Sequence, residues 1–226
     1  MVGQLVYAPQ GRGGAEPGRL YGLPVLRAEA DPECFWRELR LKKAGRALRL
    51  GGALRVLAPL EFDRWTVLER FGLRRMDPEP FVRAQSVPLA LETLRRQGLA
   101  PDRATVALRG LRADREMVRT ARELCSKVRH LVVDAPQGGR ELARWLRQEF
   151  GVPILPPGEM GQAAVRFQAG PARPEETTLE LYGPYPQLAG LTLSAPALAQ
   201  EDQENLPLLA ALWEGGRLNP QDIKIT

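Results

Sequence analysis

Histidine occurs once in this chain, at His130, and cysteine twice, at Cys34 and Cys125. A single imidazole excludes a multi-histidine metal centre. Two thiols so far apart form neither a CxxC knuckle nor a dense disulfide framework, so the expected compartment is a reducing cytoplasm. Long apolar runs are missing: the strongest, residues 206–213, is far short of the ~20 residues a bilayer span needs. Residues 1–11 show no basic stretch leading into an apolar core. Neither a membrane contact nor a signal peptide is expected. Lysine is scarce too, at Lys42, Lys43, Lys127 and Lys224 only, with arginine making up the rest of the 32 basic residues. Genomic base composition explains that bias as readily as phosphate recognition, the task arginine suits.

What is present is enough for a core. Of 226 residues 44% are apolar, and 22 Gly with 20 Pro leave the chain outside the low-complexity range. One large or two small globular domains follow. Charge is unevenly spread: residues 1–147 carry 28 basic and 17 acidic side chains, a net +11, and residues 148–226 carry 4 and 10, a net −6. An acidic C-terminal part that docks onto basic groups explains this better than an exposed basic face, because acids are interleaved throughout.

The most regular stretch starts after Pro101. Thr105–Arg109 (TVALR) is an apolar, β-branched run closed by Gly110, and predicts a strand and its exit turn. Asp114 then caps a helix through Val128, whose Met117, Ala121, Leu124, Cys125 and Val128 form a buried face. Residues 131–134 (LVVD) predict the next strand. Gly138 and Gly139 lead into a helix with Leu142, Trp145, Leu146 and Phe150 as its stripe, stopped by Gly151. Residues 152–155 and 163–167 are further strands. Strands alternating with amphipathic helices imply a parallel sheet.

Upstream, residues 4–8 and 54–58 predict strands. Phe62, Trp65 and Leu68 open a helix ended by Gly72, and residues 89–97 form another, started by Pro88 and ended by Gly98. A hairpin at Gly51-Gly52 would set charged and apolar groups on one face, so residues 32–50 are expected to be mainly helical, with Asp31 as cap. Phe35, Trp36 and Trp65 fall at core-like spacings. Gly11, Gly13 and Gly14 lack the Lys-Ser/Thr of a P-loop and predict a flexible loop. Downstream, residues 170–176 are a linker or exposed loop, 179–182 and 191–193 strands, 206–213 a short helix and 219–226 an edge strand. The expected organisation is a smaller N-terminal α/β lobe, residues 1–100, followed by residues 101–226 as a Rossmann-like three-layer α/β sandwich with a mainly parallel sheet.

The succession of strand, Gly110, helix, strand and Asp134 resembles the first half of a Rossmann dinucleotide-binding domain. That resemblance implies a glycine turn that lets backbone N–H groups reach a pyrophosphate, and an acid that holds the ribose. Gly110 and Asp134 match the first glycine and the acid. Arg112 and Arg115 stand where the second and third glycines belong, obstructing backbone approach and helix packing. VALRG, ELCSKVRHLVVDAPQGG and LARWLRQEFGVPILPP together also resemble an uncharacterised bacterial family with a degenerate Rossmann-like domain, which implies no activity.

No catalytic constellation emerges. His130 has no placed nucleophile, Cys125 lies on an apolar helix face, and YGPYP (residues 182–186) signals a rigid turn. Neither a cofactor nor a metal is expected. The expected role is non-catalytic binding of a small anionic ligand or a protein partner at a crevice formed by Gly110, Arg112, Arg115 and Asp134. An oxidoreductase with an atypical nucleotide site is the first alternative. A nucleic-acid-associated basic protein is the second, although no recognition signature for nucleic acid is present.

Overall fold

A computed structural model describes residues 1–9, 11–31, 33, 35–171 and 173–226. The chain forms two compact units, Met1–Pro78 with Pro196–Asp222, and Glu79–Ala195 with Ile223–Thr226. The expected boundary near Ala100 falls inside the second of these. The first segment contains β1 (Val2–Tyr7), β2 (Arg12–Leu20), β3 (Leu23–Ala30), α1 (Arg37–Leu50), β4 (Arg55–Leu57), α2 (Trp65–Glu69) and β5 (Arg74–Arg75). The second contains α3 (Glu79–Ala84), α4 (Ser86–Arg96), β6 (Thr105–Arg109), α5 (Arg115–Leu124), β7 (His130–Asp134), α6 (Gly139–Phe150), β8 (Ile154–Leu155), β9 (Ala163–Arg166), β10 (Thr177–Glu180) and β11 (Leu193–Ser194). The chain then returns to the first unit with α7 (Leu206–Glu214) and to the second with β12 (Lys224–Ile225).

In the first unit the strands run in the order β2-β3-β1-β4-β5, all neighbours parallel except the β2/β3 hairpin. Leu20 pairs with Leu23, so Tyr21 and Gly22 alone make the turn, and both have positive φ, the left-handed pair that matches strand twist. The Tyr21 hydroxyl donates to Asp202 Oδ2 at 2.7 Å and accepts from the Ala199 N–H at 3.2 Å. Of the glycines expected in a flexible loop, Gly11 precedes β2 while Gly13 and Gly14 lie within its start, where the strand carries a bulge between Arg12 and Ala15. Gly13 has φ +69, and a methyl there would lie 2.6 Å from the Arg40 carbonyl oxygen of α1. Glycine here serves close packing of strand on helix.

The helix expected over residues 32–50 begins at Arg37, with Trp36 rather than Asp31 at its cap; Pro32 and Cys34 lie outside the described residues. Leu41, Ala44 and Leu48 bury its inner face. Phe35 and Trp36 are not core residues: they are 90% and 60% exposed and pack edge-to-face on each other. Their spacing precedes the first helical turn, so helical periodicity does not apply to them. In α4, Pro88 lies within the first turn, where a missing N–H costs no intrahelical bond, and Val87 stays helical.

The second unit is built on a five-stranded, wholly parallel sheet in the order β10-β9-β6-β7-β8, with β11 and β12 forming a separate antiparallel pair. Numbered within the unit this is 5-4-1-2-3, the Rossmann strand order, with its reversal between β6 and β9. The expected parallel pairing of residues 105–109 with 131–134 is present, from Thr105 opposite His130 to Arg109 opposite Asp134. Every residue of β6 and β9 is buried, as strands covered on both faces must be. α4 packs on β9 and β10, α6 on β7 and β8, and α5 lies against both helices. Among the described residues between β9 and β10 there is no helix, and α4, made before β6, covers those strands instead. Leu142 and Leu146 are the buried stripe of α6, whereas Trp145 and Phe150 are exposed and meet edge-to-face with ring centroids 5.6 Å apart. An i, i+4 pair suffices for a helix that covers two strands with one narrow face.

Candidate functional site

The strand order places the ligand-binding position of such a sheet at the C-terminal ends of β6, β7 and β9. β6 leaves the sheet at Gly110, whose N–H donates to the Asp134 carbonyl at 3.0 Å. The following loop is tied to the loop after β7, with Ala113 N–H to the Gln137 carbonyl at 2.8 Å and Gln137 N–H to the Leu111 carbonyl at 3.2 Å. Asp114 then caps α5 by accepting from the Met117 N–H at 2.9 Å.

A side chain from the end of β9 fills this turn. Gln168 Oε1 accepts from the Leu111 N–H at 2.7 Å and the Arg112 N–H at 3.2 Å, and Gln168 Nε2 donates to Asp114 Oδ2 at 2.7 Å. Arg83 Nη1 holds the same Asp114 oxygen at 3.3 Å. A Cβ on Gly110 would lie 2.6 Å from Gln168 Oε1, so the glycine admits the carboxamide. The backbone donors that a Rossmann turn offers to phosphate are bonded within the chain.

Beside the turn lies a buried ion network. Arg109, 4% exposed, donates from Nε to Glu176 Oε2 at 2.7 Å, from Nη2 to Glu176 Oε1, from Nη2 to the Glu159 carbonyl at 3.0 Å and from Nη1 to Asp134 Oδ2 at 2.6 Å. Arg173 reaches that Asp134 oxygen at 3.0 Å. Arg166, the register partner of Arg109, pairs with Glu180 at 2.9 Å and donates to the Pro171 carbonyl at 2.7 Å. Glu176 and Glu180 belong to the acidic C-terminal part of the sequence, and here they pair with the arginines that end β6 and β9. Glu214 does the same for Arg55 in the first unit, at 2.6 Å.

Burial pushes the Glu176 carboxyl up, but hydrogen bonds from Arg109 and the Gly161 N–H, with the charges of Arg109 and Arg173, outweigh it and hold the group below the usual carboxylate range. The unfolded chain therefore takes up this proton first as pH falls. The stabilisation is complete above the ordinary glutamate value and is lost as pH drops through the depressed folded value. In urea titrations from pH 7 to pH 3, Glu176→Gln is expected to show a shallower acid limb than the wild type; identical slopes would remove this assignment. Burial also raises the Cys125 thiol, which makes it a poor nucleophile.

Of the residues expected to form a ligand crevice, Gly110 and Asp134 line one cavity of about 230 Å³ together with Arg109, Arg166, Gln168 and Arg173. Arg112 and Arg115 are exposed and do not line it. A larger groove of about 700 Å³ runs along α6, past Asp134, Arg140, Arg144, Arg147 and Pro156. Sequence reasoning missed Arg109, Gln168, Glu176 and the α6 arginines. The available signal was an arginine ending each of two apolar runs, TVALR and AAVR, where a charge buried at a strand end demands an acidic partner.

No protein-family model matches the chain, and no curated protein matches it. Among solved structures it is similar to L-tryptophan dehydrogenase from Nostoc punctiforme, with TM-score 0.32 and 18% identity over 63% of this chain and 43% of that one. It is also similar to arylmalonate decarboxylase, with TM-score 0.24 and 16% identity over 83% of this chain and 97% of that one. The chain thus spans less than half the length of the dehydrogenase it matches. The Rossmann-like assignment rests on the strand order, not on these likenesses. Among the described residues no helix is long and apolar enough to cross a membrane, and no group of three or more His, Cys, Asp or Glu is placed to hold a metal.

Proposed function

We propose that the chain is a non-catalytic, cytoplasmic binding protein on a Rossmann-like scaffold, which takes a small anionic ligand at the strand-end face of its second unit and uses no dinucleotide. The Gln168 carboxamide carries this reading. It accepts the two turn N–H groups nearest Gly110 and so substitutes for a phosphate oxygen. Asp134, the acid at the ribose position, already accepts from Arg109 and Arg173. A dinucleotide that used both the turn and Asp134 would have to displace these four bonds before gaining any, and a buried Arg109 deprived of one of its two carboxylates is costly.

Isothermal titration tests this directly. NAD and NADP are expected to bind no tighter than the millimolar range, about −4 kcal/mol. Micromolar affinity that disappears in a folded Asp134→Ala variant would establish an oxidoreductase-type nucleotide site instead.

A further inference from the structure

The groove along α6 contains guanidinium groups that the fold itself does not use. Arg140, Arg144 and Arg147 recur at i, i+4 and i+7, so they share one face of α6, and all three line the groove. Arg147 is fixed by donating to the Ile154 carbonyl at 2.8 Å. Arg140 and Arg144 make no hydrogen bond or ion pair within the described chain, unlike Arg83, Arg109, Arg166 and Arg173, each bound to a carboxylate. Asp134 also lines the groove, but its charge is already met by two arginines. Glu141 is the remaining carboxylate of the lining, against three guanidinium groups. Val133, Ala135, Leu155, Pro156 and Pro157 supply an apolar wall.

We propose that this groove seats the anion and that its ligand is a phosphate monoester with an organic body, the phosphate held between Arg140 and Arg144. The proposal rests on the anion-binding reading above and adds its place and chemical class. A phosphate dianion satisfies two neighbouring guanidinium forks at once, which a monocarboxylate does not. About 700 Å³ is far more than inorganic phosphate fills and lies within the range of sites for small organic ligands. The apolar wall takes the body, and Glu141 accepts from its hydroxyl groups.

Thermal shift and titration calorimetry with inorganic phosphate, sulfate, ribose 5-phosphate, AMP and adenosine test this at low salt. The proteins are the wild type, the Arg140→Ala, Arg144→Ala double variant, and Arg122→Ala as a control on the exposed face of α5. At least one ester is expected to raise the wild-type melting temperature and bind at least tenfold more weakly to the double variant, while Arg122→Ala matches the wild type. Inorganic phosphate and adenosine are expected to bind more weakly than the ester. Ester binding equal in wild type and double variant would overturn this site and leave the anion-binding reading intact. Inorganic phosphate binding as tightly as every ester would overturn the organic body. Wild type unaffected by every anion would overturn both this proposal and the function it rests on.

Discussion

Arg109→Met is expected to lower the unfolding free energy by about 3–5 kcal/mol, because it leaves two carboxylates facing a site built around a guanidinium. The Glu176 side chain is fully buried and that of Asp134 about a quarter exposed, so Glu176 bears most of the cost. Arg173 remains for Asp134, whereas Glu176 keeps only the Gly161 N–H. Methionine preserves the side-chain volume, which separates lost charge pairing from a cavity. The loss is read as a fall in the urea midpoint at pH 7. A second variant, Arg109→Met with Glu176→Leu, is expected to recover part of it, since removing both charges removes the uncompensated one. A single variant within about 1 kcal/mol of wild type would mean that the network is solvated and not structural.

Leu→Ala at Leu124 or Leu146 is expected to cost about 2–5 kcal/mol, from lost apolar transfer and the cavity left behind. Both side chains are fully buried, Leu124 on α5 and Leu146 on α6. Phe150→Ala, on the partly exposed edge of α6, is expected to cost much less. Equal midpoints for Leu146→Ala and Phe150→Ala would put the buried stripe of α6 in the wrong place.

The parts of the fold legible in the sequence are those governed by local pattern. TVALR and LVVD are apolar except at their ends because their strands are covered on both faces, and the helix between them follows from a capping aspartate and a 3.6-residue period. The β2/β3 hairpin was not legible because its turn is Tyr-Gly rather than Asn-Gly, and because a proline such as Pro17 is disfavoured inside most strands. As an edge strand, β2 tolerates a proline. In the candidate site, the places of Gly110 and Asp134 at neighbouring strand ends were legible through the Rossmann resemblance. Gln168 and Glu176 were not, since they meet the turn and Arg109 across 56 to 67 positions, and pairwise contact at that range leaves no periodic trace. Trp145 was misplaced because apolar character marks a helix face only to within the width of the surface it covers.

The order in which the ribosome makes this chain differs from the order in which its units close. The N-terminal segment emerges first, yet Tyr21 and Arg55 meet Asp202 and Glu214 only after residues 79–195 of the other unit have been synthesised. β11 in turn waits for β12, the last strand to appear. Vectorial synthesis therefore exposes an unfinished first unit while the second collapses, and each requires two separated stretches of chain to be complete. A single cut at residue 78 would release neither whole. Dissection into independently folding halves calls for a circular permutant or an internal excision of residues 79–195.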